Sequence, residues 1–202
     1  MEKTQFNDNQ FENLYGDYSQ YLYWNVYRNR FIYKIIHKLK VNKILDVGSG
    51  RGIVTDFLFK KNIQIQGVEL GDSKPILNAT VSIQYNMDVF NLDKNLPIKT
   101  ISLFDVIEHL EHPIEFIKKL KLHFNHLENI LITVPARNEI WSSFDEFYGH
   151  YKRYTLEDFK ILEQELNGKI LYKQYFFQIL YYLICLNKTL NKNKRKTNLA
   201  IV

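Results

Sequence analysis

The stretch "ILDVGSGRGIVTDFL" (44–58) sets three glycines, Gly48, Gly50 and Gly52, between an apolar run and a segment with apolar residues at helical spacing. Read outward from the glycines, this is a buried strand, a tight turn and a helix. In a doubly wound sheet such a turn lies at the carboxyl edge of the first strand, where ligands bind. Glycine there admits positive φ and lets a ligand touch the main chain. The helix behind it presents N–H groups and the positive end of its dipole. The dinucleotide fingerprint is G-x-G-x-x-G; here the third glycine comes one residue early and Ile53 stands in its place. No Lys-Ser or Lys-Thr pair follows, which excludes a phosphate loop. The next apolar run, "IQIQGVEL", ends with an acid, Glu69, about 20 residues past the first glycine. A carboxylate at that place is suited to accept both hydroxyls of a ribose.

The 202 residues suit one domain with a sizeable core, and 46% hydrophobic against 24% charged residues argues against general disorder. A net charge of +5 admits an anionic cofactor, nucleic acid or an anionic lipid surface. The single cysteine, Cys185, allows no internal disulfide and lies in an apolar run, as a small buried hydrophobe does. The polar N-terminus "MEKTQFNDNQ" lacks the apolar core of a signal peptide, and no apolar stretch reaches the roughly 18 residues of a membrane span. A cytoplasmic protein is expected.

Elements alternate along the chain. A helix with basic residues on its outer face is predicted over 21–40. Strands are predicted in "KILDVG", "IQIQGVEL", "VSIQYNMDVF", "KTISLFDVI" and "NILITVPA", with a candidate sixth in "KILYKQYFF". Helices are predicted in "GIVTDFLFKKN", "KPILNAT" with Pro75 near its start, "HPIEFIKKLKLHF" and "TLEDFKILEQEL", the last with a capping box at Thr155. Strands alternating with helices predict an α/β fold: a doubly wound, mostly parallel sheet with helices on both faces. The expected organisation is an N-terminal helical segment (1–40) packed on the core, a ligand-binding domain (41–186) and a basic C-terminal tail (187–202).

The ordered set "DVGSGRG", Glu69, Asp88 after the third strand, "FDVIEHLEHP" (104–113) and "ILITVPA" resembles the class I S-adenosylmethionine-dependent methyltransferases. The segment "WSSFDEFYGHYKRYT" (141–155), with Trp24 and Arg28 ahead of the first strand, is similar to a subset of small bacterial members. The likeness covers about residues 20–175. It implies a Rossmann-like methyltransferase fold that binds S-adenosylmethionine through Asp46, Gly48, Gly50, Gly52, Glu69, Leu70, Asp88, Val89 and Asp105, with Asp88 near the adenine. Three features depart from the family: "FNHLEN" replaces the usual Pro-Gly-Gly turn, Lys99 stands where an acid is common, and no closing hairpin is evident.

Asp105, Glu108 and His109 are spaced i, i+3 and i+4, so a helical turn would set them on one face beside the methyl donor. His150 belongs to the loop after the next strand, over the same crevice. Two acids and two imidazoles suit Mg²⁺, Mn²⁺ or a transition metal. The pattern is similar to the divalent-ion motif of small-RNA 3′-terminal 2′-O-methyltransferases, and a Glu-His pair also occurs in ubiquinone-pathway O-methyltransferases. Metal-free methyltransferases carry "EHL" here too, as a buttress of the donor pocket. Without a metal, His109 or His150 is the candidate general base. Arg137, Trp141, Asp145, Tyr148, Lys152, Arg153 and Tyr154 crowd this loop, which reads either as a lid packed by its aromatics or as a substrate-binding lid, with Trp141 to stack on a ring or sugar and Lys152 and Arg153 for an anionic group.

Three functions compete. The first is methyl transfer, at oxygen, to a small-molecule or glycolipid-like acceptor. The second is RNA 2′-O-methylation, which the +5 charge permits although no RNA-binding module is evident. The third is a non-catalytic binding protein on a cofactor fold. The apolar run "YFFQILYYLICL" (175–186), followed by "NKTLNKNKRK", is expected to cover the sheet edge and to touch a membrane surface peripherally near a lipid-linked acceptor.

Overall fold

The computed structural model describes residues 18–192. Five short strands carry the fold: β1 Lys43–Val47, β2 Gln64–Val68, β3 Ile83–Gln84, β4 Thr100–Phe104 and β5 Asn129–Thr133. They form one parallel sheet in the order β3-β2-β1-β4-β5. The order reverses between β1 and β4, so the chain leaves those two strands in opposite directions and opens a crevice at their carboxyl ends.

Alternation along each strand divides the core. Leu45, Val47, Ile101 and Leu103 face helix α3 (Pro113–His123) and α5 (Leu156–Glu165), where Ile117, Leu120 and Leu162 are buried. Ile44, Ile65 and Phe104 face α1 (Tyr23–Lys38) and α2 (Ile53–Phe59), against Ile32, Ile36, Val54 and Leu58. Helices therefore cover both faces, as the alternating pattern predicts. Pro113 opens α3, where its missing N–H costs nothing. Thr155 caps α5 with Asp158 in a capping box. Two further helices follow β5: the short α4 (Ser143–Phe147) and α6 (Gln178–Lys192).

Two expected elements do not form. "KPILNAT" is irregular: Arg51 donates to the carbonyls of Lys74 and Pro75, and Asp56 accepts from the N–H and hydroxyl of Thr80. Those bonds hold the segment open over α2 instead of letting it coil. "KILYKQYFF" makes no sixth strand. Its aromatics turn to α1 instead: Phe176 stacks on Phe31 at 5.0 Å and Phe177 on Trp24 at 3.8 Å. The apolar C-terminal run is helical from Gln178 onward, in α6. Most of the basic tail, residues 193–202, lies outside the described residues.

Candidate active site

The turn after β1 has all three glycines in the left-handed region, with φ of 75°, 53° and 84°. At Gly48 an added Cβ would stand 2.7 Å from Val106, and at Gly52 it would collide with Ile83. A side chain at either position would be strained in φ and would force its neighbour to move. Beneath the turn lies Asp46, 1% exposed, accepting 2.6 Å hydrogen bonds from Thr55 and Ser102. Burial raises its pKa to about 6, against the lowering effect of those two bonds. Both oxygens are spent inside the protein, so Asp46 serves the site by tying β1 to α2 and β4. The α2 helix has only seven residues. The N–H that the turn presents first, that of Gly50, donates to Glu69 Oε2 at 2.7 Å, while Glu69 Oε1 accepts from Gly71 at 2.8 Å. Each oxygen keeps a second lone pair for a ribose hydroxyl. Leu70 is half-buried beside Glu69, Asp88 is exposed and accepts from Phe90 N–H at 3.0 Å, and Val89 is buried in the core. Together they form a rim around the carboxyl ends of β1 and β2 that can hold a nucleoside.

The second half of the site departs from the expected helical face. After β4 the chain makes a 3-10 turn, Ile107–His109, and Asp105 precedes it with φ of 56°. That kink directs the Asp105 carboxylate toward α1. It pairs with Arg28 of α1 and accepts from Thr133 at 3.0 Å. Asp105 is therefore not grouped with the other three expected metal ligands. Glu108, His109 and His150 do meet, with one ligand atom from each within 4.8 Å of the others. The two imidazoles pack edge to face at 4.7 Å.

Glu108 is 1% exposed, and neither carboxylate oxygen has a hydrogen-bond partner among the described residues. Burial, reinforced by repulsion from Asp105, pushes its pKa well above the carboxylate range. Burial likewise lowers His109, with His150 adding to the effect, to about 4, so its ring is neutral at physiological pH.

His150 is held by a residue that motif reading left without a role. Asp145, fully buried, accepts from His150 Nδ1 at 2.9 Å and from Arg153 Nε at 2.8 Å, and its second oxygen accepts from Ser142 N–H at 2.9 Å. Burial pushes the Asp145 pKa up, but the bonds from Arg153, His150 and Ser142 outweigh it and hold it below the usual value. An ionised Asp145 keeps the His150 proton on Nδ1 and leaves Nε2 as an acceptor. An acid inside an aromatic-rich loop, followed by His and Arg, was the available signal.

The other lid residues divide. Arg153 also bonds Ala136 O at 3.2 Å, so its charge is committed to the lid's frame. Tyr154 is buried and donates to Ile107 O at 3.1 Å, and Tyr151 N–H donates to Glu108 O at 2.7 Å, clamping lid to turn. Tyr148 is buried against Phe144 and Phe147. Lys152 pairs with Asp158. Trp141 is not on the cleft wall; its indole reaches Glu146 at 3.4 Å. The cleft itself, about 1030 Å³, runs from Glu108, His109 and His150 past Arg28 and Trp24 to apolar walls of α1, β5, α5 and α6.

The methyltransferase-domain family matches residues 23–172. No curated protein sequence matches the chain. The plantazolicin methyltransferase BpumL in complex with SAH is similar at 18% identity over 95% of this chain and 84% of that one, with a TM-score of 0.54. BpumL with a monoazolic desmethylPZN analog and SAH aligns at 18% identity over 94% and 84%, TM-score 0.53. A SAM-dependent methyltransferase from Archaeoglobus fulgidus gives 16% identity over 84% and 93%, TM-score 0.52. The methyltransferase domain of bacterial CtHen1-CN gives 18% over 69% and 84%, TM-score 0.51. The chain belongs to the methyltransferase-domain family and is an S-adenosylmethionine-dependent methyltransferase with the Rossmann-like fold.

Proposed function

We propose that the enzyme methylates an oxygen of a small acceptor with an extended apolar body, with His150 as proton acceptor. The observation that carries this reading is the buried Asp145–His150 pair, whose imidazole lines a mostly apolar cleft. On this reading Gly48, Gly50 and Gly52 cradle the cofactor, Glu69 and Leu70 hold its ribose, Asp88 and Val89 flank its adenine, and Asp46 and Asp105 hold the walls. Bound S-adenosylmethionine supplies an electrophilic methyl group for in-line displacement by the acceptor oxygen. His150 Nε2 takes the hydroxyl proton, and Asp145 stabilises the imidazolium that results. His109 is neutral and burial disfavours the charged form of Glu108, so the pocket is poor in charge, and the lid excludes water. The BpumL complexes with a desmethylPZN analog support a small molecule over RNA as acceptor.

A second reading rests on the orphaned Glu108 carboxylate. Glu108, His109 and His150 would hold Mg²⁺ or Mn²⁺, which lowers the pKa of a bound hydroxyl. Asp105 would not take part directly.

The test is a radiolabelled methyl-transfer screen over small metabolites, lipid extract and RNA. His150→Gln is expected to lose about 10²–10⁴ in rate while calorimetry shows unchanged S-adenosylmethionine affinity. Full activity of that variant would remove His150 from the chemistry. Calorimetric titration with Mn²⁺ and assay in chelator separate the two readings: heat of binding together with loss of activity in chelator favours the metal.

A further inference from the structure

We propose that the outer face of α6 is a docking surface for an anionic lipid bilayer. Ile179, Tyr182, Leu183, Leu186 and Leu190 fall within an arc of about 100° on the helix, and they are 57 to 79% exposed. The opposite face fixes the helix's roll. Tyr181 donates to Glu139 at 2.9 Å, and Lys188 donates to the carbonyls of Glu139 and Trp141 at 3.2 and 2.8 Å. The start of α6 is pinned by Phe177, which packs on Trp24 and on Tyr27. That contact puts two more exposed aromatics, Tyr23 and Tyr27, at the same end of the molecule. A row of this size held outward by polar anchors on the inner face is costly in water unless something covers it.

Three observations favour a bilayer as the cover. First, no helix among the described residues is long and apolar enough to cross a membrane. An amphipathic helix of 15 residues is suited to lie in the interface plane instead. Second, tyrosines stand among the row and beside it, and tyrosine prefers the headgroup level. Third, the helix holds no acid, and the sequence continues from it through Lys194, Arg195 and Lys196 in a chain of net charge +5. That charge complements anionic headgroups. Tyr182 also lines the reaction cleft, with Leu180 and Ile184 of the same helix. The docked face therefore adjoins the path by which an acceptor with an apolar tail would pass from the bilayer to His150. The surface does not depend on the acceptor proposed above, because vesicle binding needs no turnover.

The experiment is flotation of the full chain with vesicles of phosphatidylglycerol and phosphatidylcholine in equal parts, against phosphatidylcholine alone. Binding is expected to the anionic vesicles only, and to fall about tenfold in high salt. The Leu183→Glu/Leu186→Glu variant is expected to lose about tenfold in binding at unchanged cofactor affinity and unfolding temperature. Should that variant fold poorly, Leu186→Trp serves, its fluorescence shifting blue on anionic vesicles if the row enters lipid. No flotation at low salt, undiminished binding by a folded double variant, or an unshifted Leu186→Trp spectrum would each overturn the proposal. So would a wild-type dimer in light scattering that the double variant dissolves, since the row would then join two copies of the chain.

Discussion

Glu69 holds two N–H groups of the surrounding loops before any ribose arrives. Its removal loosens the Gly50 turn and takes away the proposed ribose contact together. Glu69→Ala is expected to weaken S-adenosylmethionine binding by about 1.5–3 kcal/mol, the range for hydrogen bonds to a charged group, read by calorimetry. Asp46, one turn deeper, gives a pH signature. Folding raises its pKa from 3.8 to about 6, so the native state holds that proton more tightly than the unfolded chain. Its contribution to stability is complete below pH 3.8 and is lost as pH rises through about 6. Asp46→Asn keeps the shape and needs no ionisation, and the Thr55 and Ser102 hydroxyls can rotate to serve the amide. The variant is expected to exceed the wild type by about 3 kcal/mol at pH 7 and by less than about 1 kcal/mol near pH 4, measured by urea unfolding at both.

At the scale of elements, the pairing of α1 with the β4 loop decides the shape of the site. Arg28 is 11% exposed and meets an Asp105 side chain that is 29% exposed. Arg28→Met is expected to cost about 2 kcal/mol, less than the loss of a fully buried pair, and to slow methyl transfer by freeing Asp105 beside Glu108. Thermal unfolding and the transfer assay check the two parts. The spacing of Asp105, Glu108 and His109 was legible, but its geometry was not. Positive φ at Asp105 takes its carboxylate to Arg28 and Thr133, and no local pattern encodes a partner 77 residues away. The "KILYKQYFF" segment failed as a strand for a similar reason. Its period fits an edge, while Trp24 and Phe31 on α1 offer its aromatics a better surface.

Over the whole molecule, the cofactor site proposed above joins three loops that are distant in the chain, so ligand binding would report on the fold. Saturating S-adenosylmethionine is expected to stabilise the wild type by about 2.7 kcal/mol at one hundred times its Kd, seen as a rise in unfolding temperature. Gly50→Val, at a position with φ of 53°, is expected to show no rise.

The sequence by itself determined the parallel α/β sheet, the glycine turn and the acid that ends the second strand. Those features rest on local rules, namely alternation, helical period and the steric freedom of glycine, which act over a few residues at a time. Only the tertiary structure decided which charged groups face each other. It turned Asp46 inward, gave Asp105 to Arg28, left the Glu108 carboxylate without a hydrogen-bond partner among the described residues and locked His150 onto Asp145. The cost of burying a charge depends on every neighbour from every element packed around it, and that sum exists only once the chain has folded.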